Sequence, residues 1–344
     1  MAPDWFEQLF GFVEVDYDST KQQLRVHPSE HSDGLLLDSL VNKEKKEGKG
    51  GTDGCAFGTN PGVLEIGDVA AKHALAENRH ATFQVASQFN CLEFVGPSVT
   101  PQHGITGYVR DRTQGPACSI ACGPATAYRN FFAPVRGGQA KRQINNLEDL
   151  CVELDRKSAK RRKGKDEVLF RSFGSQFLEV RGGYTLASHR QLANLNAMLQ
   201  SLSEGELDEL RQSLRVGVHA DVQVTSFAWG ARPVKDATQL VTQIFGSACS
   251  VAYNRESSQP DWEPLARLVL EASYEATLLA ALRQARKHGG LGGVFGNAMT
   301  WIADAMRRAF VCLQNEDLDV RIVTYAGSPP PELMRLERDF SGTG

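Results

Sequence analysis

Two stretches of the chain hold residue types that bond-breaking chemistry needs. The first is Asp111-Arg112-Thr113-Gln114-Gly115-Pro116-Ala117-Cys118, which puts a carboxylate beside a loop that runs into the small apolar residues Ala117, Ile120, Ala121 and Ala125. That change in character predicts a closely packed helix whose first backbone amides are free to hold an anion. An acid beside such a loop can accept a proton or orient a water. The second stretch is Gly289-Gly290-Leu291-Gly292-Gly293-Val294-Phe295-Gly296-Asn297, which feeds a helix capped by Asn297. Glycines let backbone approach a phosphate, and a helix start supplies N–H groups. It is not a Walker A loop, since no Gly-Lys-Ser/Thr follows, and its glycines are out of register for GxGxxG. A diphosphate held between the two loops is the sharpest chemistry the pair suggests.

Three further groups invite chemistry. Cys118 at a helix start would have a lowered pKa and could act as a nucleophile with His103 or His219 as base. The competing reading is a structural thiol buried among small neighbours. Arg215 to Phe227 alternates, with Val216, Val218, Ala220, Val222 and Val224 on one face and His219, Asp221, Gln223 and Thr225 on the other. That is a half-exposed strand, or one covered on both sides whose His219 and Asp221 need buried partners. Gly246-Ser247-Ala248 ends another apolar run and permits close backbone approach by a ligand.

These residues need a scaffold. A short strand over Phe83–Ala86 leads to Asn90, and Gly67-Asp68-Val69 turns into a helix before it. His73 and His80 read as exposed helix residues. Val168–Val180 followed by Gly182-Gly183-Tyr184 predicts a hairpin with arms VLFRSF and FLEVRGGYTL. Helices are expected over Leu192–Leu202, from the Ser203–Glu206 capping box to about Leu214, and from Asp261 to His288. Another carries Trp301, Ile302, Ala305, Met306, Ala309 and Phe310 on one face, and Val320–Tyr325 closes the order as a strand. Strands alternating with helices predict a sheet covered on both faces, with ligands at the strand C-termini. Residues 1–62 read as an N-terminal extension, with Trp5, Phe6, Leu9 and Phe10 on one helical face and a solvated loop at Lys43–Gly58. The main domain spans 63–327, residues 139–167 form a polar insertion with a solvated basic cluster at Arg156–Lys165, and 328–344 form a tail.

Composition narrows the classes. At 344 residues, with 41% apolar and 23% charged residues and a net charge of −3, the chain reads as globular and has no global field for nucleic acid. Seven scattered cysteines without a CxxC pair give no support to a metal or redox centre and suit a reducing compartment. With no signal peptide and no apolar run long enough to cross a bilayer, a cytosolic or nuclear protein is expected, without membrane partners.

The segments QFNCLEF, GITGYVRDRTQGPAC, YRNFF, SYEATLLAA and GGVFGN resemble a divergent macrodomain group. That group includes a bacterial effector that removes ADP-ribose from ubiquitin arginine, with uncharacterised eukaryotic relatives. The likeness runs over about 65–325. It implies an α/β fold, a three-layer α/β/α mixed sheet, carrying the extension and insertion. It implies ADP-ribose as ligand or product, no required cofactor, and an ADP-ribosylated protein as partner, ubiquitin being one candidate. Carried over, Asn90 would sit near the ribose. Thr113, Gln114, Gly115, Pro116, Ala117 and Cys118, with Gly293, Val294, Phe295, Gly296 and Asn297, would wrap the diphosphate and distal ribose. Gly292 and Ala248 complete the ligand-binding set. Asp111 would be the catalytic or ribose-orienting carboxylate and Asp221 a second acid. The chain departs from the family at His103, where an acid is expected, and before Gly289, where the apolar strand should be shortened or absent. The implied activity is hydrolysis of a side-chain ADP-ribosyl bond, with arginine as a candidate linkage. A non-catalytic reader of ADP-ribose, which His103 favours, and a Cys118 hydrolase are the alternatives.

Overall fold

Strands β3 (Thr82–Val85) and β9 (Leu240–Phe245) run parallel at the centre of the molecule, in register Thr82↔Thr242 to Val85↔Phe245. The computed structural model describes residues 4–26, 36–38, 60–133, 135, 138–161, 174–285, 291–292, 299–316, 318–325 and 327–341. Around the central pair the sheet order is β1-β6-β9-β3-β10, with β1 at Leu36–Asp38, β6 at Val216–Gln223 and β10 at Leu291–Gly292. β6 is antiparallel to β9 and β1, whereas β10 is parallel to β3. β2 (Asn60–Ile66) and β11 (Asp319–Thr324) form a separate parallel pair. The fold is mixed α/β. Within the Gly-rich stretch, Leu291 and Gly292 pair with Thr82 and Phe83, while the residues just before Gly289, where a shortened strand is expected, lie outside the described residues.

A β-bulge between His219 and Val222 divides β6. An extra residue reverses the in–out parity of a strand. Val216 and Val218 therefore pack with Ile244 against α9 (Gln259–Ala285), while Val222 and Val224 pack with Phe83, Val241 and Phe245 against α4 (Gln114–Ala121). Of the five residues expected on one face, the four valines are split between two cores, and the half-buried Ala220 belongs to neither. Of the two readings offered for this strand, the covered one holds for His219, which is fully buried.

α9 is the main helix of its core. Ser258 N and Oγ both donate 2.7 Å bonds to Asp261 Oδ2, so Asp261 reaches back to the turn before the helix instead of opening it. Residues 286–290, the expected end of this helix, lie outside the described residues. α10 (Met299–Cys312) buries Trp301, Ile302, Ala305, Met306, Ala309 and Phe310 as the spacing predicts. α7 (His189–Gln200) and α8 (Glu204–Ser213) both start with capping boxes, the second formed by Ser203 and Glu206.

Several expectations change. The tail is an integral helix, α11 (Pro331–Ser341), whose Leu333 and Leu336 are fully buried and whose Phe340 stacks edge-on against Phe310. Burying each leucine contributes about 1.5–3 kcal/mol, which a solvated tail would forgo. In the polar insertion, α6 (Glu148–Arg161) buries Leu150, Cys151 and Leu154, and Lys157 is buried against Glu209 at 2.6 Å. Residues 162–167, with the rest of the basic cluster, lie outside the described residues, as do Lys43–Gly58. The hairpin pairs β4 (Glu179–Arg181) with β5 (Tyr184–Leu186) across Gly182-Gly183, both at positive φ. The VLFRSF arm lies outside the described residues. His73, expected on the surface, is fully buried and stacks on Phe83 at 3.9 Å.

Candidate active site

The C-terminal ends of β3 and β9 meet at a hydrogen bond between Ser87 and Ser247, 3.2 Å apart. Between these strands Gly246 leaves room for α9: a Cβ there would lie 2.5 Å from Ser273 Oγ. Ala248 packs behind this junction on the α9 core. From β3 the chain enters a buried knot, Phe89 to Phe94, whose polar members are Asn90 and Glu93. α3 (Val69–His73) begins just beyond β2 with Asp68 as its cap, and Val69 N donates to Gln114 Oε1 at 2.8 Å, tying α3 to the start of α4.

Asp111 stands immediately before α4. Its Oδ1 accepts from Thr113 N at 3.0 Å, a local turn that holds the carboxylate at the helix entrance. Thr113 occupies the cap position without a side-chain capping bond, and Pro116 is accommodated in the first turn where it removes no helical bond. Gly115 is buried and faces Glu93: a Cβ there would lie 2.7 Å from Glu93 Cδ and collide with its Oε2.

Glu93 is a candidate that motif reasoning missed. Burial pushes its carboxyl well above the usual range, the Arg129 charge opposes that, and the Asp111 charge adds to it. Among the described residues its Oε1 has no hydrogen-bond partner, and its backbone N–H donates to Tyr108 Oη at 2.9 Å. Burial thus favours the neutral, proton-holding form of Glu93, next to a second carboxyl at the loop. A signal was available: Glu93 sits in Phe89-Asn90-Cys91-Leu92-Glu93-Phe94, an acid inside an apolar run with no adjacent base.

Arg129 lies beneath the knot, fully buried, with Nε donating to Cys91 O at 3.1 Å and Nη2 to Thr126 Oγ1 at 2.9 Å. The guanidinium stacks over Phe245 at 4.0 Å. It is the cation that acts on Glu93 from within the core. It also adds to the burial that pushes His219 down to about 3, so His219 holds a proton only weakly.

Asp111 and Thr113 to Cys118 stand together at α4, Asn90 lies in the knot whose Glu93 meets Gly115, and Ala248 packs on the other core. Asn90 is fully buried, its Oδ1 accepting from Leu92 N at 3.1 Å and its Nδ2 donating to Gln143 at 3.0 Å. It braces the knot and does not face open space. Ala117 and Cys118 are core residues. Of the two readings of Cys118, the buried thiol fits, since burial raises it well above the ordinary value. Asp221 does not join the group. It sits in the bulge at positive φ, with Oδ1 3.7 Å from His80 Nδ1, at the end of the sheet where β3 and β9 begin. α4 separates the two ends, since Ala121 O at its far end accepts from Thr225 N at 2.8 Å. His103 caps its own turn, with Nδ1 accepting from Thr100 N at 3.1 Å. Gly292 is placed by its backbone in β10, while Gly293, Val294, Phe295, Gly296 and Asn297 lie outside the described residues. Among the described residues no cluster of His, Cys, Asp and Glu could hold a metal ion, and no helix is long and apolar enough to cross a membrane.

No protein-family model matches the chain, and no curated protein matches it in sequence. Among solved structures it is similar to the poly(ADP-ribose) glycohydrolase of Thermomonospora curvata. The two share 12% identity at a TM-score of 0.42, over 89% of this chain and 85% of that one. No residue role is taken from that likeness.

Proposed function

We propose that the protein is an ADP-ribosyl hydrolase acting on a modified protein side chain, with Glu93 and Asp111 as its acid and base. The observation that carries this is the pair itself: a dry, high-pKa carboxyl pressed on Gly115 and an accessible carboxylate held at the same helix start. The first amides of α4 suit one phosphate of a diphosphate. Ile66 and Tyr325, 58% and 50% exposed at the ends of the paired strands β2 and β11, offer an apolar bed for a purine at the same end of the parallel strands. The macrodomain-like segments of the sequence point to the same ligand.

The chemistry follows from the two environments. The bond from the anomeric carbon to the side-chain nitrogen breaks with its electron pair going to nitrogen. Protonated Glu93 supplies the proton that the leaving nitrogen takes. Asp111 balances the oxocarbenium-like charge and takes a proton from the water whose oxygen bonds to the anomeric carbon. An arginine linkage fits, because its leaving group gains most from that proton. The test is calorimetric titration with ADP-ribose, then release of ADP-ribose from an arginine-modified protein by wild type, Glu93→Gln and Asp111→Asn. Binding without release in wild type would turn the reading to a reader module. That second reading rests on His103, which stands where the family pattern has an acid and is occupied in capping Thr100.

A further inference from the structure

A cavity of about 470 Å³, open on one side, lies beside the knot and is assigned to nothing above. Three stretches line it: 97–102, 139–145 and the β4–β5 turn at 179–183. Its size is that of a ligand site. The knot is its inner wall, since Gln143 takes the Asn90 Nδ2 bond and Gly183 packs so closely that a Cβ would lie 2.7 Å from Asn90 Cγ. Glu93 points away from this wall, to Gly115. Neither Glu93 nor Asp111 is among the lining residues of the cavity.

The lining is rich in unspent donors. Asn145 is 9% exposed, its Oδ1 accepts from Leu147 N at 3.1 Å, and its Nδ2 has no partner among the described residues. Gln143 spends its Oε1 on Asn90, which leaves its Nε2 without a partner among the described residues. Lys141 makes no ion pair among the described residues, and Lys21 feels its charge. The one lining carboxylate, Glu179, is neutralised by Arg181 at 2.9 Å. Two cations against one anion leave the lining with a charge of +1. A ligand with carbonyl and carboxylate acceptors satisfies these groups, and an open side suits a chain passing through better than a molecule wholly enclosed.

We infer that this cavity is a second binding site, separate from the α4 cleft, for an acidic peptide segment. It rests on the hydrolase reading only for the identity of that peptide, which is then the sequence flanking the modified side chain. The full-length protein is titrated with a fluorescein-labelled decapeptide of alternating Asp and Ser, by anisotropy, and separately with ADP-ribose by calorimetry. Wild type should bind the peptide more weakly as salt rises. Lys141→Glu, at an exposed position, should weaken peptide binding at least tenfold and Lys141→Ala by a smaller factor, with ADP-ribose affinity unchanged. No peptide binding by wild type, or equal binding by Lys141→Glu, overturns the site. Loss of ADP-ribose affinity in Lys141→Glu also overturns it, because the cavity would then belong to the nucleotide cleft. Peptide binding that Lys141→Glu weakens, in a protein that ignores ADP-ribose, keeps the site and removes the hydrolase reading.

Discussion

The carboxyl of Glu93 rests against the bare Cα of Gly115, with Glu93 Cδ 2.7 Å from where a Cβ would be. A methyl at 115 must push that carboxyl away or move α4. Gly115→Ala should therefore cost about 1–3 kcal/mol in stability, the range for overpacking a tight site, and should lower hydrolysis more than ADP-ribose binding. Chemical denaturation and the two assays run side by side read this. A variant as stable and active as wild type would show that Glu93 is not held there.

Glu93→Gln keeps the shape and removes the proton. Release of ADP-ribose should fall on the order of 10²–10⁴-fold, the range for losing a general acid, with calorimetric binding kept. The stability consequence has a definite sign. The folded pKa is raised above 4.5 by burial, so the folded state holds a proton that the unfolded chain releases. Stability is intact below the unfolded value and declines as pH rises from there through the folded pKa. Denaturation midpoints of Glu93→Gln should show a shallower decline over that window.

Glu14 anchors the N-terminal extension. Its Oε1 and Oε2 accept from Ile105 N at 2.9 Å, and Oε2 accepts from Thr106 N at 2.6 Å. Gly104, at φ 76°, leaves space for the carboxylate. Glu14→Ala orphans two amides, each worth about 1–3 kcal/mol if left unsatisfied. The melting temperature should fall by several degrees, with faster exchange at Ile105 and Thr106. Unchanged exchange would mean that the extension is held elsewhere.

Acid should unfold the protein through its buried histidines. Burial lowers His73 to about 4 and His219 to about 3, both from 6.5. The unfolded chain then binds more protons, so stability is present above 6.5 and is lost as pH falls through that value towards the folded ones. Each histidine contributes a slope of at most about 1.4 kcal/mol per pH unit. His219→Gln should flatten the acid limb of a stability–pH curve, and an unaltered limb would show that carboxylates alone govern it.

Cys118→Ala should keep full hydrolysis, because the thiol is a core group and its partner bond, from Gln243 Nε2 at 3.0 Å, goes to its backbone carbonyl. Native thiol titration should leave Cys91, Cys118, Cys122, Cys151 and Cys249 unreacted, as all are buried. Loss of activity with retained folding would revive the cysteine mechanism.

What the chain alone determined is what local rules decide. The capping box at Ser203–Glu206, the apolar stripe of α10, the turn at Gly67-Asp68 and the loop that sets Asp111 before α4 depend on neighbours three or four residues away. Tertiary structure decided what a residue far along the chain does to its surroundings. Glu93 became a high-pKa acid because the fold buries it against Gly115, and that burial, together with the Asp111 charge, outweighs the opposing charge of Arg129. Asp221 lies away from Asp111 because β6 runs antiparallel to β9 and carries it to the end of the sheet where β3 and β9 begin. His73 was drawn inside by Phe83, and Leu333 and Leu336 turned a short polar tail into a buried helix. Periodicity records which side chains share a face, but desolvation and charge depend on what packs against that face, and that is settled only when distant segments meet.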